Sequence, residues 1–287
     1  MAPAIIQRTF VSSGGVSLTG DIAGPCGAPL VVLLHGGGQT RHSWSGAMAA
    51  LLARGYRVVN FDARGHGDSD WSETGAYALE DRVDDLLAVL GDEPGPVALV
   101  GASLGGATAI CAVAHGLKPA ALVLVDIVPH PEPEGIDRIV TFMGGHPDGF
   151  ASPEEAAAAV AAYNPERPAP ADASGLMRNL KRGADGRLRW HWDPLILADK
   201  PGHHHAKVQR AAEALGAPGR PPVLLVRGLR SDVVSDAGIE RFRRLAPDLE
   251  VVDVAGAGHM VAGDRNDAFN AGVLGFLDRH MPVGARP

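Results

Sequence analysis

The sequence predicts a doubly wound α/β domain whose mostly parallel sheet is interrupted by a helical insertion. Short, continuously apolar runs alternate with stretches of helical periodicity along most of the 287 residues. Continuous apolarity is typical of parallel strands that helices cover on both faces. The alternation stops after Val125 and resumes at Val223, so the insertion lies between two strands of one sheet.

The apolar runs are the predicted parallel strands, and a hairpin precedes them. This hairpin joins Phe10-Val11 to Leu18-Thr19 around a turn at residues 12–15. The predicted strands are Leu30–Leu34, Arg57–Phe61, Val97–Val100, Ala121–Val125, Val223–Val226 and Glu250–Val254. The predicted helices between them are Trp44–Arg54, Leu79–Leu90, Leu104–His115 and Gly238–Leu245.

The inserted segment has proline-rich joints, one alanine-rich predicted helix at Glu154–Tyr163, and no convincing strand. We therefore expect residues 1–128 and 222–287 to form the core domain. Residues 129–221 are expected to form a helical cap over the carboxyl edge of the sheet.

Composition and charge argue against several classes of protein. The net charge of −7 argues against broad electrostatic binding to nucleic acid. The N-terminus lacks the pattern of a signal peptide, and no apolar run approaches the roughly 20 residues of a membrane span. Cys26 and Cys111 lack metal-ligand spacing and are interpreted as reduced thiols. We expect a cytoplasmic protein without a metal, and a homo-oligomer is left open.

Ser103 is the predicted nucleophile, because Gly101-Ala102-Ser103-Leu104-Gly105 matches G-x-S-x-G between a strand and a helix. Only very small side chains fit two residues before and after a serine on such a sharp turn. The turn also places the Leu104 N–H at a helix N-terminus, where it can stabilise developing negative charge. A phosphate-binding loop is the alternative, but it lacks G-x-G-x-x-G and a P-loop lysine.

A nucleophilic serine needs a general base and an orienting acid. His259 is the predicted base, because it follows the last predicted strand on a glycine-containing loop. Asp232 is the predicted acid, since it lies beyond a strand and between Ser103 and His259 in the chain. Asp126, which directly follows a strand, is the rival acid.

The second oxyanion donor is expected from the glycine-rich loop after Leu30–Leu34. Gly37 occupies the position whose N–H would pair with that of Leu104. His35 is expected to anchor this loop rather than act as a second base. The charged loop at residues 62–69 is interpreted as structural.

Specificity is expected to lie in the cap, since binding pockets are largely apolar with a few polar groups. The candidate substrate-binding residues are Gly38, Phe142, Met143, Trp190 and Trp192, with His191 weighed beside them. The alternative is that the aromatic residues only hold the cap onto the core. Arg187 and Arg189 could meet a substrate carboxylate, but solvent exposure is the favoured interpretation.

Five segments together resemble the α/β-hydrolase superfamily over essentially the whole chain. They are LLHGGGQTRHSW, FDARGHGDS, LVGASLGG, LVRGLRSD and GAGH. The resemblance implies an eight-stranded core with a helical cap. Ser103 at the elbow argues against the epoxide hydrolase and haloalkane dehalogenase branches, which use a carboxylate nucleophile. Gly38 is a departure, because many relatives have proline there.

The prediction that follows is a carboxylesterase-like serine hydrolase. It would cleave an ester or similar acyl compound of a small to medium organic molecule through an acyl-enzyme, with no cofactor. The same residues would serve a C–C bond hydrolase, lactonase, thioesterase or cofactor-free perhydrolase. A ligand receptor with this fold is a further alternative.

Overall fold

The computed structural model describes residues 4–93, 95–165, 173–198, 201–259, 261 and 266–284. The strands within them are β1 (Ile6–Val11), β2 (Ser17–Ala23), β3 (Leu30–Leu34), β4 (Arg57–Phe61), β5 (Val97–Ala102), β6 (Ala121–Val125), β7 (Leu180–Arg182), β8 (Leu188–Trp190), β9 (Val223–Gly228) and β10 (Glu250–Val254). The α-helices are α1 (Ser45–Ala53), α2 (Leu79–Leu90), α3 (Leu104–Ala114), α4 (Pro133–Gly144), α5 (Pro153–Tyr163), α6 (Pro201–Ala212), α7 (Asp236–Leu245) and α8 (Asn266–His280). None of these described helices is both long and apolar enough to cross a membrane.

Eight strands form one sheet in the order β1-β2-β4-β3-β5-β6-β9-β10. The pairs β1–β2 and β2–β4 are antiparallel, and the other five neighbouring pairs are parallel. All five residues of β3 are buried, as a strand in the middle of a covered sheet requires. The predicted α/β-hydrolase fold class is confirmed.

The sheet separates two apolar clusters, one on each face. Successive residues of β3 alternate between them, so that Val32 belongs to the first cluster and Val31 to the second. The first cluster takes side chains from α2, α3, α6 and α7, whereas the second takes them from α1 and α8. Burial on both faces is what makes the strand sequences continuously apolar.

The segment between β6 and β9 has its own apolar cluster. Met143 of α4, Phe150, and Trp190 of β8 are among its buried members. The expectation that this segment holds no strand is wrong, because β7 and β8 form a two-stranded antiparallel sheet. Three residues are too few to show an alternating pattern, although Gly186, with φ of 77°, marks the turn between them.

The last part of the inserted segment contacts the core directly. Val208 and Ala212 of α6 belong to the first cluster, and α6 packs against α3. Helix α6 therefore packs on the core, although it belongs to the inserted segment by sequence.

Candidate active site

The carboxyl ends of β5 and β6 bring Ser103 and Asp126 to the same edge of the sheet. In the parallel register Ala102 lies opposite Val125, so Ser103 and Asp126 are the next residue on each strand. The Ser103 N–H also donates to the Val125 carbonyl at 3.1 Å. Strand register alone therefore makes these two residues neighbours.

Ser103 lies on a strained turn between β5 and α3, with φ of 45° and ψ of −112°. A Cβ added to Gly101 would lie 2.6 Å from the Gly105 carbonyl carbon, and one added to Gly105 would lie 2.3 Å from the Leu34 oxygen. Both positions exclude any larger side chain. Positive φ at a non-glycine residue is costly and is typical of functional positions.

Asp126 is the partner of His259 in the structure. The His259 Nδ1 lies 2.7 Å from Asp126 Oδ2, and the Asp126 side chain is fully buried. Gly228 N donates to Oδ1 at 3.1 Å, and the Ser231 hydroxyl donates to Oδ2. Because a carboxylate only accepts hydrogen bonds, Nδ1 carries the proton and Nε2 is left as the acceptor nitrogen.

The predicted pairing of Asp232 with His259 is wrong in this structure. Asp232 Oδ2 instead lies 2.8 Å from Nη2 of Arg138, on α4. Asp126, the alternative acid considered from the sequence, contacts the His259 ring in place of Asp232. Neither Ser231 nor Gly228, which complete the surroundings of Asp126, was found from the sequence.

The path of the loop after β9 explains this change. Gly228 packs so closely on the loop before His259 that an added Cβ would lie 2.3 Å from the Gly258 oxygen. Arg230 N then donates to the Ala257 carbonyl at 2.9 Å. By residue 232 the chain has turned away to α4, where a Cβ on Gly135 would lie 2.3 Å from the Asp232 oxygen.

The N–H groups of the glycine loop after β3 differ in whether they have an acceptor among the described residues. Gly36 N donates to Gln39 Oε1 at 3.1 Å, and Gly38 N donates to His66 Nε2 at 3.2 Å. The N–H of Gly37 between them donates to no described residue, and Gly37 lines the same cavity as Ser103. Leu104 also lines that cavity and begins α3, where the first N–H groups have no partner within the helix.

His35 holds this loop to the loop after β4. Its Nε2 accepts from Ala63 N at 2.9 Å, and its Nδ1 lies 2.8 Å from the Gly36 carbonyl. Burial lowers the pKa of His35, so the neutral form that these contacts require is favoured. Both ring nitrogens are engaged, in agreement with an anchoring role.

Charged groups tie the loop at residues 62–69 to the start of the chain's first helical turn. Asp62 accepts from Arg41 N at 2.6 Å, and Arg41 Nη1 lies 2.8 Å from Asp68 Oδ2. These contacts fit the structural interpretation of this loop. No group of three or more His, Cys, Asp or Glu side chains in the described part of the chain is arranged to hold a metal ion.

A cavity of about 590 Å³ contains Ser103 and His259 in its wall. Its lining includes all five candidate substrate-binding residues, which are Gly38, Phe142, Met143, Trp190 and Trp192. Trp190 stacks on Trp192 with centroids 4.9 Å apart, and Trp192 Nε1 donates to the Met143 carbonyl at 3.3 Å. These aromatic residues therefore line the cavity and also hold the inserted segment together.

His191 does not line the cavity. Its Nδ1 accepts from Gly67 N at 2.8 Å, which fastens β8 to the loop at residues 62–69. Burial lowers the pKa of His191 to about 4, so the ring is neutral near neutral pH.

Comparison with known proteins identifies the family. Residues 31–271 match the sequence model of the "Alpha/beta hydrolase family". This chain belongs to the α/β hydrolase family. An esterase of Mycobacterium tuberculosis is 33% identical over 262 residues, which are 88% of this chain and 83% of that esterase. The resemblance expected from the sequence motifs is confirmed, and the chain is a hydrolase of this family.

Another relative is similar in both sequence and structure. The 2-(acetamidomethylene)succinate hydrolase of Mesorhizobium japonicum is 29% identical over 259 residues, covering 87% of this chain and 88% of that enzyme. A crystal structure of E-2-(acetamidomethylene)succinate hydrolase superposes on this chain with a TM-score of 0.81 at 29% identity. The superposition covers 96% of this chain and 100% of that one.

Proposed function

We propose that this hydrolase cleaves carboxylic esters with Ser103 as nucleophile, His259 as general base and Asp126 as orienting acid. The observation that carries the proposal is the 2.7 Å contact between His259 and the fully buried Asp126, beside the cavity that Ser103 lines. A serine hydroxyl is a weak nucleophile until a positioned base takes its proton. The similarity to a mycobacterial esterase supports an ester as the substrate.

The proposed reaction has two halves. Ser103 Oγ attacks the ester carbonyl while His259 Nε2 takes the hydroxyl proton, and Asp126 stabilises the imidazolium that forms. His259 gives this proton to the leaving alkoxide, which departs as the alcohol. His259 then takes a proton from water, which attacks the acyl-serine and releases the acid, and that proton returns to Ser103.

The proposed oxyanion hole consists of the N–H groups of Gly37 and Leu104. The Gly37 N–H has no acceptor among the described residues, whereas the N–H groups of Gly36 and Gly38 donate to Gln39 and His66. A donor held in place before the reaction stabilises the tetrahedral oxyanion without reorganising.

The cavity favours a small to medium acyl compound. Its walls are mainly apolar, and α4 and α5 supply much of the lining from the proposed cap at residues 129–221. A volume of about 590 Å³ is in the range of small-molecule sites. The name of the second relative adds carboxylate-bearing acyl compounds to the substrates worth testing.

The principal test is Ser103→Ala, measured as hydrolysis of p-nitrophenyl butyrate. We expect kcat to fall by about 10,000-fold or more, because the nucleophile and base act as one unit. Ser13→Ala, on an exposed serine, is the control and should leave kcat unchanged. A fluorophosphonate should label Ser103 alone, as read from the labelled peptide by mass spectrometry.

Hydrolysis by Ser103→Ala at a near-normal rate would refute the proposal. A panel of neutral esters, lactones, thioesters and diketo acids separates the esterase from the other reactions of this triad. Tight binding of one of these compounds with negligible turnover would indicate a receptor.

A further inference from the structure

Arg82, in the first turn of α2, is a buried arginine in the wall of the cavity that Ser103 lines. Only 4% of its surface is exposed, and its Nε and Nη1 have no hydrogen-bond acceptor among the described residues. Buried polar groups are almost always hydrogen-bonded, and a buried charge is almost always paired. An arginine without these partners beside a binding cavity therefore needs an explanation.

The two acids whose charges act on Arg82, Asp85 and Asp81, have other hydrogen-bond partners. Both Asp85 oxygens accept from Arg64, with Nε to Oδ2 at 2.6 Å and Nη2 to Oδ1 at 2.6 Å. Asp81 Oδ2 accepts from Ala78 N at 2.9 Å. Arg64 therefore holds the carboxylate of Asp85, and neither acid accepts a hydrogen bond from Nε or Nη1 of Arg82.

The charge on Arg82 persists at neutral pH. Burial lowers the pKa of Arg82 to about 10, with Asp85 acting in the opposite direction. A pKa near 10 still leaves the guanidinium protonated at pH 7. The ring of Tyr77, whose centroid is 5.8 Å from the guanidinium carbon, adds a weak favourable contact.

The rest of the cavity wall carries little charge. Among the described lining residues Arg82 is the only arginine or lysine, and Asp126 is the only carboxylate. Asp126 is fully buried and accepts from Gly228, Ser231 and His259. An anionic ligand would therefore meet one cation, largely apolar walls and no exposed negative charge.

We propose that Arg82 binds a carboxylate of the substrate, so that the natural substrate is an acyl compound with a free carboxylate. This inference rests on the proposed function, since it names the substrate class of the same site. A guanidinium binds a carboxylate through charge-assisted, often bidentate hydrogen bonds. The attraction between the two charges is stronger away from water, because the surroundings screen it less.

The arginines considered from the sequence are engaged elsewhere. Arg187 donates to the carbonyls of Asp148 and Gly149 at 2.7 Å each, and Arg189 pairs with exposed Asp185. A sequence signal for Arg82 exists, because it falls on the buried face of α2 between Leu79 and Leu86. A charged residue at such a position indicates a buried polar contact or a ligand-binding role.

The test compares two esters of similar size, neutral p-nitrophenyl butyrate and the anionic mono-p-nitrophenyl ester of glutaric acid. The wild-type chain should prefer the anionic ester in kcat/KM. In Arg82→Met this preference should fall by about 10- to 100-fold, the range expected for losing a hydrogen bond to a charged group. Arg82→Lys keeps the charge without the bidentate geometry and should lose part of the preference. Arg189→Met, on an arginine that does not line the cavity, is the control and should keep it.

A binding measurement makes the inference independent of turnover. Glutarate should bind Ser103→Ala in titration calorimetry and should not bind Ser103→Ala combined with Arg82→Met. Thermal unfolding shows whether each variant is folded. If Arg82→Met does not fold, the comparison is made with Arg82→Lys.

An unchanged preference and unchanged glutarate binding in folded Arg82 variants would overturn the inference. Arg82 would then be structural, solvated from an adjoining cavity of about 20 Å³ that it also lines, large enough for a water molecule. If the wild-type chain hydrolyses neither ester, the proposed function is contradicted instead. Glutarate binding would still decide the role of Arg82 in that case.

Discussion

Two aspartates that follow neighbouring strands of the sheet have different surroundings. Asp126 comes directly after β6, with φ of 51°, and its buried carboxylate faces three donors. Asp232 comes four residues after the end of β9, and its side chain is 32% exposed beside one half-exposed arginine, Arg138. The same residue type thus serves a buried polar cluster in one place and a surface contact in the other.

The difference comes from how far each aspartate lies beyond its strand. The first residue past β6 is held at the sheet edge by register, next to the first residue past β5. A residue four positions beyond β9 follows the course of its loop, which here packs against α4 at Gly135. Distance from a strand end therefore decides whether the sheet or the loop positions a side chain.

The two carboxylates also differ in what their loss should cost. A buried charge is tolerated only with several partners, so removing it disturbs each of those partners. An exposed ion pair contributes about 0 to 1 kcal/mol, because water and salt screen it.

The largest effect is expected when each aspartate is replaced by asparagine. Asp126→Asn keeps the shape but removes the charge that orients and stabilises the His259 imidazolium, so kcat for p-nitrophenyl butyrate should fall about 1,000- to 10,000-fold. Asp232→Asn should lower kcat by less than about fivefold, because Asp232 pairs with Arg138 in an exposed contact and does not line the cavity. Steady-state kinetics measure both, with thermal unfolding as the check that each variant is folded.

A larger loss in Asp232→Asn than in Asp126→Asn would reverse the comparison. It would restore the acid expected from the sequence and would mean that the loop after β9 takes another course during turnover.

A smaller effect is expected at Ser231, whose hydroxyl donates to Asp126. Ser231→Ala leaves the carboxylate with Gly228 and His259, so we expect kcat to fall about 10-fold, the size of one hydrogen bond to a charged group. KM should not change, because Ser231 positions the acid and does not line the cavity.

Ser235, on the same loop, is the matched control. Its hydroxyl accepts from Gly238 N at 3.1 Å at the start of α7. Ser235→Ala should therefore lower the free energy of unfolding by about 1 kcal/mol and leave kcat unchanged. Equal kcat losses in both serine variants would indicate a general effect of the loop rather than a contact with Asp126.

The elements of the sheet were predictable because burial on both faces leaves a direct signal in the sequence. The predicted bounds of Leu30–Leu34, Ala121–Val125 and Leu79–Leu90 are those of β3, β6 and α2. The short strands β7 and β8 were missed, since three residues cannot display a period of two over any useful length.

The candidate site was less predictable because chain order does not fix distance. Asp126 and Asp232 both lie between Ser103 and His259, so the order serine, acid, histidine fits either one. The strand register and the packing of Gly228 on Gly258 distinguish the two aspartates. Neither feature can be predicted from the residues around each aspartate. The buried Arg82 was overlooked for a related reason, since only the phase of α2 shows that its side chain points inward.

The smallest expected effect tests the surface side of the comparison, the pair between Asp232 and Arg138. Arg138 also lies over the ring of Tyr163 at 5.6 Å, so single substitutions would mix two contacts. A double-mutant cycle of Asp232→Asn and Arg138→Met isolates the ion pair. Urea unfolding should give a coupling free energy of about 1 kcal/mol or less, and this coupling should shrink as salt is raised. A coupling of about 3 kcal/mol that salt does not change would show that Asp232 behaves as a buried charge. The two aspartates would then differ in the partner that each carboxylate binds, and not in their exposure to water.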